Sequence, residues 1–158
     1  MDYIVFGICL AACGAAATTG AMFPPGLWYL RLDRPSWTPP NWVFPVAWTT
    51  LYLAMSVAAA RVAPMPGSGT AMALWGLQIA LNTLWTPIFF GLRRFAGAIF
   101  VVVALWIAVF ATMLLFLQFD LIAGLLFVPY VLWCTIAAAL NVAMWRRNPD
   151  VEPLQMNG

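Results

Sequence analysis

The sequence predicts an all-α membrane protein, a bundle of five transmembrane helices, and three observations indicate it. Of its 158 residues 65% are hydrophobic and 8% are charged, whereas soluble domains carry about 25% charged residues. The mean hydropathy is +0.92. Apolar runs recur along the chain, each near the roughly 20 residues that span the hydrocarbon core of a bilayer. We expect a single domain over residues 1–158, since the chain leaves no room for a second one.

Turn signals place the ends of the five predicted helices. The first follows Asp2, and its flank carries no cation, so a cleaved signal sequence is not expected. Pro64 and Pro66 end the second helix, and Asp120 marks the turn before the fifth. Pro129 lies inside the fifth helix, where we expect a kink. The predicted helices cover residues 3–22, 42–62, 70–90, 95–119 and 121–145.

The loop between the first two helices, residues 23–41, is rich in aromatic residues and proline. Residues 27–52 read LWYLRLDRPSWTPPNWVFPVAWTTLY and hold four of the nine Trp residues. Proline fixes φ and lacks an N–H group, so residues 34–42 are predicted to be stiff and extended. The helix that follows presents Trp48 and Tyr52 one turn apart on one face. We therefore expect an aromatic lid over a ring-lined helix, with a site for a flat, apolar ligand.

The composition excludes several classes of function. The chain has no His, so a His-ligated haem and Ser-His or Cys-His catalysis are excluded. A net charge of +2 is too small for a nucleic-acid surface. Cys9, Cys13 and Cys134 have no metal or redox spacing and are expected as small buried side chains. We predict no catalytic set, no metal site and no obligatory cofactor.

The arginines predict the orientation in the membrane. Arg61 is the one cation expected on the amino-terminal side of the bundle. Cytoplasmic loops carry the excess of positive charge, so the lid and the carboxyl terminus are predicted to face the cytoplasm. The sequence does not determine whether the protein lies in the inner or the outer bacterial membrane. Six arginines lie on the opposite side from Arg61: Arg31, Arg34, Arg93, Arg94, Arg146 and Arg147.

Three motifs resemble the TspO family, the tryptophan-rich sensory proteins also called translocator protein or peripheral-type benzodiazepine receptor. They are the run WYLRLDRPSWTPPNWVFPVAWTTLY at 28–52, LNTLWTPIFFG at 81–91, and PYVLW at 129–133 with ALN at 139–141. The resemblance covers nearly the whole chain in the family's order. It implies a five-helix membrane bundle, often dimeric, that binds porphyrins and, in animal members, cholesterol and synthetic ligands.

The resemblance also implies which residues contact the ligand, protoporphyrin IX or haem. The chemistry of the residues agrees, because Asn82 in a membrane helix must find an interior partner and the rings can stack on a tetrapyrrole. Four other tryptophans, Trp28, Trp42, Trp106 and Trp145, are predicted as interfacial belt residues. The implied contacts are Tyr29, Trp48, Tyr52, Asn82, Trp85, Phe89, Trp133, Ala137 and Leu140.

One departure concerns sterols. Animal members carry a cholesterol-recognition pattern with a Tyr at the end of the fifth helix, whereas residues 140–146 here read LNVAMWR and contain no Tyr. Sterol binding at this position is therefore not expected. We expect instead that the protein lies in a bacterial membrane, which is poor in sterols.

Three functions remain open from the sequence. The first is a tetrapyrrole sensor or carrier, which we favour because no acid, base or metal set is present. The second is an enzyme that degrades porphyrin in light through Trp48 and Trp133. The third is a structural bundle whose Trp residues are all belt and core residues.

Small residues on the third helix predict an assembly. They recur at spacings of four and three, which places them along one face where another helix backbone can approach closely. Together with the family's frequent dimers, this stripe predicts a homodimer through the third helix. The stripe comprises Gly69, Ala73, Gly76, Ala80 and Thr83.

Overall fold

The computed structural model describes residues 1–150, which form seven α-helices and one π-helical turn and contain no strand. The elements are α1 (Tyr3–Met22), α2 (Leu27–Arg31), α3 (Val43–Val62), α4 (Gly69–Thr86), the π turn (Pro87–Gly91), α5 (Phe95–Phe119), α6 (Leu121–Leu125) and α7 (Val128–Arg147). From the sequence we also expect a polar, frayed tail over residues 146–158. Arg146 and Arg147 instead belong to α7, and residues 151–158 lie outside the described residues.

The long helices form the predicted five-helix membrane bundle. By length and composition, α1, α3, α5 and the α6–α7 segment (Leu121–Arg147) are able to cross a membrane. The remaining long helix, α4, carries Gln78 and Asn82, which lower its hydropathy. Both side chains are buried inside the bundle, where protein groups surround them in place of lipid.

Helix α1 packs on α3 and α4, and α5 packs against α4, α6 and α7. The buried residues of α1, Cys9, Cys13 and Ala16, follow one another at helical spacing and face the core. On α3 the residues Ala58 and Ala59 are fully buried. Small side chains let helix backbones approach closely, which is what favours helix association within a bilayer. The prediction that the cysteines are buried is confirmed, Cys134 included.

The lid contains a short helix that the sequence prediction missed. Residues 23–41 were expected to lack helix, yet α2 forms one turn and a half within them. The prolines lie outside it, because Pro25 precedes Gly26 at the N-cap and Pro35 follows the last turn. The Pro-rich part, residues 34–42, contains no helix, as expected, but turns at 36–37 and 41–42 interrupt the extended course that was predicted.

The predicted fifth helix is two helices. α6 ends at Leu125 and α7 begins at Val128, with Pro129 in its first turn, so Pro129 starts a helix where we expected it to kink one. Proline has no N–H to donate to the preceding turn and is tolerated at a helix start. α6 also packs tightly on α5, because a Cβ on Gly124 would lie 2.9 Å from the Leu117 Cα atom.

The third helix ends differently from the prediction as well. α4 stops at Thr86, and the remaining residues to Gly91 form a π turn in which the Leu92 N–H donates to the Pro87 carbonyl at 2.8 Å. Pro87 has no N–H to donate to the preceding turn, so the hydrogen-bond ladder of α4 is interrupted there. It continues with the spacing of five residues that defines a π-helix. Arg93 follows with a positive φ of 54° and turns the chain into α5.

An ion pair fixes the turn between α5 and α6. Asp120 lies between the two helices, and its Oδ2 accepts hydrogen bonds from Arg61 Nε at 3.0 Å and Nη2 at 2.6 Å. Its Oδ1 accepts from the Ala123 N–H at 2.9 Å and caps α6. The Arg61 hydrogen bonds, helped by that backbone donor against the effect of burial, hold the pKa of the Asp120 carboxyl below its usual range.

We expect Asp120→Asn to lower the free energy of unfolding by about 1–3 kcal/mol, since it removes the charged acceptor of Arg61. In the unmodified chain, the stability that the lowered Asp120 pKa contributes is present above about pH 4, the usual pKa of an Asp carboxyl. This stability is lost as the pH falls through the lower pKa that Asp120 has in the folded protein. Thermal unfolding in mild detergent at several pH values measures both effects. Asp33→Asn is the control, because Asp33 pairs with Arg147 at 3.5 Å in an exposed position. Equal midpoints for the two variants would contradict the assignment.

Candidate functional site

A cavity of about 620 Å³ lies between the helices, beneath the lid. The lid, α1, α3, α4, the π turn, α5 and α7 all contribute to its wall. The fold therefore brings together residues that the sequence separates by more than one hundred positions. Eight of the nine residues expected to contact a ligand line it: Tyr29, Trp48, Tyr52, Asn82, Trp85, Trp133, Ala137 and Leu140.

Phe89 is the predicted residue that does not line the cavity. It is 2% exposed and packs beside the cavity, with its ring stacked on Trp85 at a centroid distance of 5.1 Å. Phe90 lines the cavity in its place. The π turn explains the difference, because its extra residue per turn shifts the ring that faces inward by one position. Periodicity at 3.6 residues per turn could not predict this shift.

Aromatic rings form one wall of the cavity, between α3 and α7. Trp48 stacks on Tyr52 at a centroid distance of 5.4 Å and meets Trp133 edge to face at 6.5 Å. Phe44, which sequence reasoning did not select, packs edge to face on Trp133 at 5.6 Å. Rings so arranged offer both faces and edges to a flat, unsaturated ligand, and such contacts add to the hydrophobic gain.

A hydrogen-bond network links three helices at the inner end of the aromatic wall. The Tyr52 hydroxyl donates to Asn82 Oδ1 at 2.9 Å, and Asn82 Nδ2 donates to the Tyr130 hydroxyl at 3.0 Å. The Tyr130 side chain is 1% exposed. Sequence reasoning missed Tyr130 as a partner, although it lies one turn before Trp133 in the same PYVLW motif. The network holds α3, α4 and α7 in register around the cavity.

Small residues of α1 form the opposite wall, and sequence reasoning did not single them out. They leave room where large side chains would fill the cavity. Their signal in the sequence is the run of Ala and Gly in the second half of the first helix. Within the described residues, the lining contains no Asp, Glu or Arg side chain, so the polar side-chain groups of the cavity are amide, hydroxyl, thiol and indole N–H groups. The α1 residues are Ala16, Ala17, Thr19, Gly20 and Ala21.

The lid is held down by rings. Tyr29 is 5% exposed and packs edge to face on Phe90, while Trp28 packs on Phe89 and Phe95 at 5.9 and 5.7 Å. Trp28, predicted as a belt residue, is half-buried, and its ring packs against the cluster under α2. Trp42 and Trp145, also predicted as belt residues, are exposed, and the interfacial position of all three stays a prediction.

Trp106 is only half-buried, yet it is tied into the bundle. Its Nε1 donates to the Thr135 hydroxyl at 2.9 Å and so links α5 to α7. Its ring also stacks on Phe110 at 5.2 Å.

Polar contacts also join the lid to the end of α7. The Asn148 side chain accepts from the Asp33 N–H at 2.9 Å and donates to the Asp33 carbonyl at 3.0 Å. One side-chain amide thus satisfies both backbone groups of a lid residue. The lid is fixed at its carboxyl-terminal part to the helix that carries Trp133 and Ala137.

Together the fold and the site define a multi-pass membrane protein with a lidded cavity lined by aromatic rings. The family model described as TspO/MBR matches residues 5–146, and the chain belongs to this family. It is 53% identical to "Protein CrtK" of Rhodobacter capsulatus, over 99% of this chain and 100% of the relative. It is 55% identical to a "Tryptophan-rich sensory protein" of Cereibacter sphaeroides, over 94% of each. With the human "Translocator protein" it shares 37% identity, over 77% of this chain and 75% of the relative.

We expect Asn82→Ala to lower the free energy of unfolding by about 1–3 kcal/mol, since it leaves the Tyr130 hydroxyl buried without a donor. Thermal unfolding in detergent measures it. Thr83→Val is the matched control, because the Thr83 hydroxyl bonds only to the Ile79 carbonyl of its own helix. If both variants melt at the same temperature, the network does not stabilise the bundle.

Proposed function

We propose that this chain is a membrane receptor or carrier that binds tetrapyrroles, such as protoporphyrin IX or haem, in the cavity beneath α2. The observation that carries the proposal is the cavity itself, which unites eight separately predicted residues around an aromatic wall. Its volume lies within the roughly 300–1,000 Å³ range of small-molecule sites. The names of the relatives, a sensory protein and a translocator protein, support sensing or carriage.

The physical basis of the proposed affinity is stacking and exclusion of water. A planar macrocycle packed against the wall that contains Trp48 and Trp133 would exchange hydrated surface for ring contacts. Asn82 and Tyr52 already satisfy each other, so an apolar ligand does not break the network that holds the wall. The described lining offers neither carboxylate nor guanidinium for acid–base chemistry, which favours binding over hydrolysis.

A second candidate function is light-dependent porphyrin degradation. The observation that favours it is the Trp48–Trp133 pair, two oxidisable rings with centroids 6.5 Å apart in the cavity wall. A porphyrin bound in the cavity against this wall would contact both oxidisable indole rings. A purely structural bundle, the third possibility, would show no saturable ligand binding at all.

Trp133→Ala is expected to weaken protoporphyrin IX binding by about 1–3 kcal/mol, the scale of losing one stacked ring. Saturable quenching of tryptophan fluorescence in mild detergent measures the affinity. The control is Trp145→Ala, because Trp145 lies on the same helix but is exposed and outside the cavity lining. Equal affinities for the two variants would remove Trp133 from the site, and quenching that does not saturate in the unmodified chain would leave a structural bundle.

Illumination of the same complexes separates a receptor from an enzyme. A receptor leaves the porphyrin absorbance unchanged beyond the loss seen for free porphyrin. An enzyme bleaches it faster, and replacement of Trp48 and Trp133 by Phe slows that bleaching while stacking is retained.

We also propose that the protein is a homodimer through α4, with the lid and the carboxyl terminus in the cytoplasm. In the single chain Gly69, Ala73, Gly76 and Ala80 are exposed, and Thr83 is half-buried. Nothing lies within 4 Å of a Cβ placed on Gly69 or Gly76. This face is therefore open to the close approach of a second helix, while Asn82 and Trp85 on another face line the cavity.

Replacing Gly76 and Ala80 by Leu is expected to convert the purified dimer to a monomer, because the larger side chains hold the two backbones apart. Light scattering in mild detergent gives the mass. Leu77→Ala and Leu84→Ala, at exposed positions of the same helix, serve as controls that remove bulk without blocking close approach. A variant with both Leu substitutions that stays dimeric would place the interface on another helix. The porphyrin affinity of this variant should equal that of the unmodified chain.

A further inference from the structure

The cavity and its lid differ in charge. The described lining carries no guanidinium or carboxylate group, but the lid brings a cation to the outer side of one lining ring. The Arg34 guanidinium carbon lies 5.2 Å from the centroid of the Tyr29 ring. Tyr29 itself lines the cavity. A positive charge thus lies one ring away from an apolar site.

The Arg34 guanidinium has no carboxylate partner among the described residues. The ion pairs among residues 1–150 are Arg61–Asp120 and Arg147–Asp33, so Asp33, next to Arg34 in sequence, is engaged by Arg147 and Asn148. The contact with Tyr29 is a cation–π contact and uses no N–H donor in a hydrogen bond. The guanidinium therefore keeps its planar set of N–H donors for a planar anion.

We propose that Arg34 is the anchor for an acidic group of the ligand, and that the site selects flat ligands carrying a carboxylate at one edge. This inference rests on the proposed tetrapyrrole function and deepens it. The apolar macrocycle lies among the rings of the cavity, and its acid edge lies at the lid, on Arg34. The ligand therefore enters in one orientation, with its acid edge last.

The free-energy cost of burying a carboxylate requires that the macrocycle and its acid edge lie in different surroundings. A carboxylate placed among the rings would lose its hydration without a compensating partner, which is costly in an apolar site. At the lid the same group keeps water on one side and gains charge-assisted hydrogen bonds, with a geometry that allows two parallel N–H···O contacts. A flat ligand without an acid gains the stacking but not the anchor.

The structure supplies two matched controls. Arg31 lies in the last turn of α2 on the same lid, carries the same charge and is exposed. Arg93 has the same kind of contact as Arg34, with its guanidinium carbon 5.6 Å from the Trp28 ring centroid, but Trp28 does not line the cavity. Loss of Arg31 reports the effect of net lid charge, and loss of Arg93 reports the effect of cation–π packing on the lid.

The experiment compares protoporphyrin IX, a dicarboxylate, with its dimethyl ester, whose macrocycle is the same and whose acids are masked. Affinities of both are measured by fluorescence quenching with the full chain in mild detergent. The unmodified protein should prefer the free acid by about tenfold, the scale of a hydrogen bond to a charged group. R34Q should abolish this preference, R34K should retain part of it, and R31Q and R93Q should leave it unchanged.

The ratio of the acid affinity to the ester affinity tests the proposal. A general loosening of the lid would weaken both ligands equally and leave this ratio unchanged. Equal affinities for acid and ester in the unmodified chain would overturn the proposal, as would an R34Q variant that weakens both ligands equally, which would assign Arg34 to lid packing alone. A loss of preference in R31Q as large as in R34Q would show a diffuse charge effect and also overturn it. If neither ligand quenches saturably in the unmodified chain, the tetrapyrrole function itself fails.

Discussion

The bundle depends on one requirement, that polar groups within the membrane find partners inside the protein. Asn82 meets it by accepting from Tyr52 and donating to Tyr130, so a single amide joins α4 to α3 and α7. The same three helices carry most of the aromatic wall. The same network lies beside the rings, and α3 and α7 meet at the cavity through ring–ring contacts.

Close packing occurs elsewhere in the bundle, for example between α1 and α3, where small side chains are fully buried. Alanine and glycine on the inner half of α1 then leave the cavity unfilled on that side. The bundle has a tightly packed part, which needs small residues for helix contact, and an open part, which uses small residues to leave space. The same residue types serve both purposes, and their partners on the neighbouring helices decide which one applies.

The lid closes the open part through contacts of two kinds. Trp28 and Tyr29 bury rings in the cluster around Phe89, and Asn148 pairs with both backbone groups of Asp33. The ring contacts are apolar, whereas the two hydrogen bonds of Asn148 are directional. Because Asn148 caps the carboxyl-terminal end of α7, the lid is attached directly to the helix that carries Trp133.

The sequence by itself determined the membrane class, the number of spans, the ring-rich site and eight of the residues that line it. Composition and motif order suffice for these, since a bilayer dictates helix length and polarity. The tertiary structure decided three things that local pattern could not. It divided the last span into α6, which packs closely on Leu117 of α5, and α7, whose first turn contains Pro129. It exchanged Phe89 for Phe90, because a π turn alters the period on which the pattern was counted. It paired Asn82 with Tyr130, because residues 48 positions apart meet only after the helices have packed.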